Sequence, residues 1–192
     1  MLSLIVLAAG KSTRMRGRNK LLAKVAGKAM VRRVVETALS SQVDEVIVVL
    51  GWEEAKVRDA LSELPCRFVV NESYEEGQSS SVKVGLNEVA EGTRAILILP
   101  GDVAKIDTRS INLVVEEYNR ENGPIVVAAY QNKPGHPILL SKELFKEIQG
   151  IDEQTYGLKS VLTNHAADVR LVETNSENVL RDVDTPEDLK QL

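Results

Sequence analysis

The chain has 192 residues, 43% hydrophobic and 27% charged, with a formal net charge of −4. That length suits one domain with a substantial core, expected over 1–192, and no apolar run approaches the ~18 residues of a membrane span. A single cysteine, Cys66, excludes an intrachain disulfide, and with only two histidines no Cys/His zinc set can form, so any metal must be held by oxygen.

Charge is distributed unevenly. Lys11, Arg14, Arg16, Arg18, Lys20, Lys24, Lys28, Arg32 and Arg33 are the only charged residues before position 36, and all 28 acidic residues follow them. A basic island on an acidic protein fits a compact polyanion such as a nucleoside triphosphate better than a nucleic acid, which meets a broad basic face. Arg32 and Arg33 read as a solvated helix face and are set apart from the rest.

In chain order, Leu4-Ile5-Val6 belongs to an apolar first strand with no charged segment ahead of it, read as structure and not as a secretion signal, so the expected location is the cytoplasm. The strand empties into Leu7-Ala8-Ala9-Gly10-Lys11-Ser12-Thr13-Arg14-Met15-Arg16-Gly17-Arg18-Asn19-Lys20. Small residues permit close backbone approach, amides are free to donate, and cations stand nearby, which is what phosphates require. Neither the G-x-G-x-x-G nor the G-x-x-x-x-G-K-[ST] spacing is present.

Beyond the loop, 21–25 reads as a short strand, and 30–39 has the apolar spacing of a helix. The β-branched run 45–50, ended by Gly51, has the look of a strand buried on both faces, as parallel sheets require. A helix at 53–61, a strand at 66–70, a serine-capped helix at 79–90, a strand at 95–99, a helix at 110–118 and a strand at 124–130 continue the alternation. The pattern implies an α/β fold: one doubly wound, mostly parallel sheet with helices on both faces, binding ligands beyond the carboxyl ends of its strands. The last third reads as a turn at Gly135-His136-Pro137, an apolar stretch at 138–140, helices near 142–148 and 158–165, strands at 169–172 and 179–183, and a helix from Pro186.

Three carboxylates stand out. Asp102 follows a buried strand stopped by Pro100-Gly101, a position suited to Mg²⁺ held by one or two carboxylates plus substrate phosphates, and equally to a helix cap. In Arg181-Asp182-Val183-Asp184-Thr185-Pro186-Glu187-Asp188, Thr185 and Pro186 make a helix start, while Asp182 and Asp184 alternate about Val183 and would share one face of a strand.

The loop resembles the opening motif of the MobA-like nucleotidyltransferases, L-A-[AG]-G-x-S-x-R-M-G-x-x-K, with one residue more between Met15 and Lys20. The resemblance implies a Rossmann-like nucleotidyltransferase fold in which Leu7, Ala8, Ala9, Gly10, Lys11 and Ser12 wrap a triphosphate, with Arg14 and Lys20 on its oxygens. The extra residue leaves open which of Arg14, Arg16 and Arg18 reaches the phosphates. Asp102 and Asp184, with Asp182 as a further candidate, are implied as Mg²⁺ ligands, although Ala104 stands where the family has proline. Gly77-Gln78-Ser79-Ser80-Ser81-Val82-Lys83-Val84-Gly85-Leu86 resembles the G-x-S-S-S-[LIV]-[RK]-x-G-[LI] loop of the molybdenum cofactor cytidylyltransferases. Gly77, Gln78, Ser79 and Ser81 are implied in nucleotide contacts, and His136, in a matching Gly-His-Pro, in substrate binding. Ala9 goes with cytidylyl in preference to guanylyl transfer. The implied reaction moves CMP from CTP to molybdopterin cofactor and releases pyrophosphate, with Arg14, Lys20 and Asp102 as catalytic residues and a transient molybdoenzyme partner. Two alternatives remain open: transfer of a guanylyl or cytidylyl group to a sugar or alcohol phosphate, and a non-catalytic nucleotide or cofactor carrier for a molybdoenzyme. No nucleic-acid or membrane partner is expected.

Overall fold

The computed structural model describes residues 1–15 and 17–190, and a seven-stranded sheet lies at its centre. In order along the chain come β1 (Leu2–Ala8), a small hairpin of β2 (Lys24–Val25) and β3 (Lys28–Ala29), α1 (Met30–Leu39), β4 (Glu45–Leu50), α2 (Glu54–Ala60), β5 (Arg67–Val70), α3 (Gln78–Asn87), β6 (Ala95–Pro100), α4 (Thr108–Glu121), β7 (Ile125–Tyr130), β8 (Lys133–Ser141), α5 (Phe145–Gln149), α6 (Leu158–Asn164), β9 (Val169–Glu173) and α7 (Pro186–Leu189).

The strand order is β5-β4-β1-β6-β8-β7-β9. Within this sheet β8 runs antiparallel to its neighbours β6 and β7, and the sheet's remaining pairings among the described residues are parallel. The chain winds outward from β1 through β4 to β5 and then returns to β6 on the other side of β1. This reversal opens a crevice at the carboxyl ends of β1 and β6, where α/β sheets of this kind bind ligands.

Alternation along β1 explains the two cores. Leu2, Leu4, Val6 and Ala8 pack with the apolar faces of α1, α2 and α4, whereas Ile5, Leu7 and Ala9 pack with α3, α5 and α6 on the other face. In α1, Met30, Val31, Val34, Val35 and Ala38 are fully buried, each of the larger side chains contributing about 1.5–3 kcal/mol. Arg32 and Arg33 do not form a free solvated face. Arg32 donates to the Ala60 and Ser62 carbonyls at 3.1 and 3.2 Å, satisfying acceptors at the end of α2, and Arg33 reaches the Ala104 carbonyl at 3.5 Å.

Three segments differ from the sequence reading. The strand expected at 21–25 is shorter: the chain first makes a 3-10 turn, Lys20–Leu22, started by the Asn19 carboxamide accepting from the Leu21 amide at 3.1 Å, and only Lys24–Val25 is extended, as β2 of a hairpin that reverses at Ala26-Gly27, both at positive φ. Gly135-His136-Pro137 is not a turn but part of the long strand β8. Its prolines are tolerated because β6 pairs only with 138–141 of β8, so that Pro134 lies in a protruding end bonded to β7 alone. The strand expected at 179–183 is a 3-10 turn, Glu177–Leu180, followed by extended chain. It crosses above β8 so closely that a Cβ on Gly135 would lie 2.3 Å from the Val179 carbonyl oxygen. Beyond the crossing, the Val183 amide donates to the Asp102 carbonyl at 3.1 Å and ties the C-terminal segment to the end of β6. Among the described residues no helix is long and apolar enough to cross a membrane.

Candidate functional site

The loop after β1 folds back on itself. Ser12, at positive φ, accepts the Met15 amide on its carbonyl (2.8 Å) and the Lys20 amide on its hydroxyl (3.2 Å). Met15 is buried beneath the turn, and Asn19, also buried, fixes the start of the next one. These anchors deliver Lys20 to the crevice. Its ammonium stands 2.5 Å from Asp102 Oδ2 and 2.9 Å from Asp184 Oδ1, and the Arg14 guanidinium donates to Asp184 Oδ2 at 2.6 Å.

Two carboxylates from opposite ends of the chain thus converge on one cation. Burial works against the Lys20 ammonium, but Asp102 and Asp184 outweigh it and hold its pKa above the ordinary lysine value. Burial likewise opposes ionisation of Asp184, and Lys20 and Arg14 outweigh that, holding its carboxyl below the usual range. Asp102 keeps its second oxygen, Oδ1, buried with no hydrogen-bond partner. An orphaned carboxylate oxygen beside a second carboxylate is a donor set that fits a hard divalent cation. No cluster of three or more His, Cys, Asp and Glu side chains exists among the described residues, so a cation here would draw its remaining oxygens from phosphates and water.

The cleft around these groups has a volume of about 470 Å³. Of the residues singled out in the sequence, Leu7, Ala9, Gly10, Lys11, Ser12, Arg14, Lys20, Gly77, Gln78, Ser81, Asp102 and Asp184 line it. Ala8 does not, because it is packed in the core under α1. Arg18 is exposed outside the lining, and Arg16 lies outside the described residues. Asp182 does not share a strand face with Asp184: with no strand there, it lines a different cavity.

That neighbouring chamber, about 730 Å³, also holds Ser79 and His136. Its walls include Val82, Ile98, Val127, Ile138, Leu158 and Leu162, and Gln78 lines both cavities. His136 has its Nδ1 buried and unpartnered. Burial pushes the imidazole below its ordinary pKa, against the pull of Asp102 and Asp182, so the ring is neutral at pH 7.

Two organising residues carried no recognised motif. Asn71, buried at the end of β5, donates to the Ser80 and Ser81 hydroxyls at 2.8 and 2.9 Å and fixes the serine loop. Glu153 accepts the Ser79 amide at 2.7 Å and the Ser79 hydroxyl at 2.9 Å from a segment 74 residues away. An asparagine closing a predicted strand was a signal for the first; no local pattern marks the second.

The family model for the MobA-like NTP transferase domain matches residues 4–169. The chain belongs to this family. This MobA-like nucleotidyltransferase is also 30% identical over 131 residues to the bifunctional protein GlmU of a Synechococcus strain, an alignment covering 68% of the chain and 21% of that protein. The chain spans between about a fifth and two fifths of the length of the curated relatives it matches. Among solved structures it resembles Rv0371c of Mycobacterium tuberculosis, with a TM-score of 0.87 at 24% identity over 99% of this chain and 96% of that one. Rv0371c is also known in complex with manganese, there at a TM-score of 0.82 over the same shares of the two chains. A nucleotidyl transferase from a Methanothermobacter has a TM-score of 0.86 at 23% identity, over 100% of this chain and 95% of that one. Asp184 lies beyond the residues matched by the family model, so its membership of the site rests on its geometry with Lys20 and Arg14.

Proposed function

We propose that this nucleotidyltransferase moves CMP from CTP, as its Mg²⁺ complex, to the phosphate of molybdopterin cofactor, releasing pyrophosphate. The observation that carries the reading is the convergence of Asp102, Asp184, Lys20 and Arg14 at the mouth of the β1 loop. Asp102 and Asp184 would hold the metal, which supplies positive charge to phosphate oxygens as negative charge builds up on them. Manganese in the complex of Rv0371c supports a divalent-metal reading of the fold.

An acceptor phosphate oxygen attacks the α-phosphorus as the bond from that phosphorus to the bridging oxygen of pyrophosphate breaks. The protein contributes placement and charge, with no side-chain nucleophile. Lys20 and Arg14 exchange their carboxylate partners for oxygens of the leaving pyrophosphate. Gly10, Ser12, Gly77, Gln78 and Ser81 form the walls against which the nucleotide is held. The acceptor occupies the chamber across Gln78. Its aliphatic walls, Val82, Ile98, Val127, Ile138, Leu158 and Leu162, would take the flat body of a ring system, and Lys133, Lys159, Ser79 and Gln78 would meet its polar edges. A neutral His136 serves that chamber as a hydrogen-bonding group and adds no charge.

The test is pyrophosphate release with Mg²⁺ across CTP, GTP, ATP and UTP, with and without molybdopterin cofactor. Release dependent on both CTP and the cofactor is expected. Equal release from all four nucleotides would defeat the cytidylyl assignment, and release driven instead by a sugar phosphate would defeat the acceptor.

A further inference from the structure

The wall between the two cavities holds a carboxylate with an unusual position. Gly77, at φ +103, leads into α3, a ten-residue helix with no side-chain cap of its own. Glu153 supplies the cap from outside: one oxygen, Oε1, takes both the Ser79 amide and the Ser79 hydroxyl. The glutamate lies flat against Gly77, where a Cβ would be only 2.3 Å from its Cγ. Yet Glu153 is exposed and sits on the turn 152–157, which is otherwise held by its own bonds, from the Thr155 amide to Asp152 Oδ1 at 2.7 Å and from the Gly157 amide to the Asp152 carbonyl at 2.8 Å.

We propose that Glu153 is a removable stand-in for the acceptor's phosphate, and that the start of α3, at Ser79, is the oxyanion subsite it vacates. This rests on the transferase reading above. An acceptor in the chamber has to bring its phosphate to the α-phosphorus across the wall formed by Gln78, the residue shared by both cavities. An anion at that wall meets the amides and positive end of α3. His136, which lines the same chamber, has its buried Nδ1 without a hydrogen-bond partner. A phosphate and the Glu153 carboxylate cannot share the Ser79 donors, so binding must displace the Glu153 side chain from the turn 152–157, which lines the chamber at Glu153, Tyr156 and Gly157. The empty site is thereby filled by the chain's own carboxylate, which yields to a phosphate able to compete for the Ser79 donors.

Calorimetry with phenyl phosphate and with inorganic phosphate, the cleft first filled with α,β-methylene-CTP and Mg²⁺, tests this. A stand-in present nine-tenths of the time masks about 10-fold in affinity. Glu153→Ala should therefore bind both probes at least about 10-fold more tightly than the native chain, with Glu153→Gln between the two, and Ser79→Ala added to Glu153→Ala should cut the gain, since one of the two donors is then lost. Unchanged probe affinity in Glu153→Ala and Glu153→Gln overturns the proposal and shows a cap that only anchors the turn; so does a gain undiminished by loss of the Ser79 hydroxyl. Failure of the CTP analogue to bind the native chain would instead strike the transferase reading, and is read from a different ligand.

Discussion

The small cleft and the large chamber lie on either side of Gln78 and solve opposite problems. In the cleft, charged groups are already paired: Lys20 bridges Asp102 and Asp184, and Arg14 completes the set. Filling it means exchanging partners, which suits a ligand arriving with both negative oxygens and a cation. The chamber combines a set of aliphatic walls with Lys133, Glu153, Lys159 and Asp182 and carries a neutral histidine. Filling it means burying a ligand's body. The division follows the sheet, since the cleft opens at the ends of the parallel strands β1 and β6, while the chamber draws on β8, the antiparallel strand.

Substitutions on each side should therefore fail differently. The largest effect is expected from Asp102→Ala, which should lower pyrophosphate release on the order of 10²–10³-fold while thermal melting stays near that of the native chain, because the side chain lies in the crevice and not in either core. Native-like turnover in this variant would remove Asp102 from the metal site. Lys20→Ala should follow, weakening CTP binding by about 10-fold more than CMP binding, since only the triphosphate offers the oxygens Lys20 is assigned; equal losses for both nucleotides would place Lys20 elsewhere.

On the chamber side, Gly135→Ala should destabilise the fold by about 1–3 kcal/mol, because its Cβ has to push the 177–180 segment off β8. It should raise the KM for the acceptor more than that for CTP, and the reverse ranking would break the assignment of the two cavities. The smallest effect belongs to the C-terminal end of α6, where Glu147 of α5 holds the His165 imidazole above its ordinary pKa. A raised folded-state value favours the folded chain most below the unfolded pKa of about 6.5. This advantage is lost as pH rises through the folded value. Glu147→Gln should thus lower the melting temperature slightly at pH 5.5 and hardly at all at pH 9, with both cavities unaffected.

The same division marks what the sequence made legible. The parallel half could be read because its strands are uninterrupted apolar runs and its loops end in glycine or Pro-Gly; 45–50 and 95–99 were placed within a residue of β4 and β6. The other half hides its strands. Lys133-Pro134-Gly135-His136-Pro137 has the composition of a turn, and only the pairing with β7 alone, beyond the reach of β6, lets it extend as β8. Val179 and Val183 look like strand residues because both are buried, but they are buried by crossing the sheet's end and not by joining it. In the site, Arg14, Lys20, Asp102 and Asp184 were each identifiable locally, whereas the salt bridges that join them across 164 and 170 residues are a product of tertiary structure. Glu153 had no signal at all, since its role exists only when α3 and the 152–157 turn meet.

The central claim, that a metal-bound triphosphate occupies the cleft between Asp102 and Asp184, is tested most directly by adding substoichiometric Mn²⁺·CTP to the ¹⁵N-labelled chain and recording paramagnetic broadening of backbone amides against a Mg²⁺·CTP control. The amides of Gly10, Lys11, Asp102 and Asp184 should broaden first, with those around His165 untouched. Broadening centred on the chamber walls near Leu158 and Leu162, or spread evenly over the surface, would contradict it.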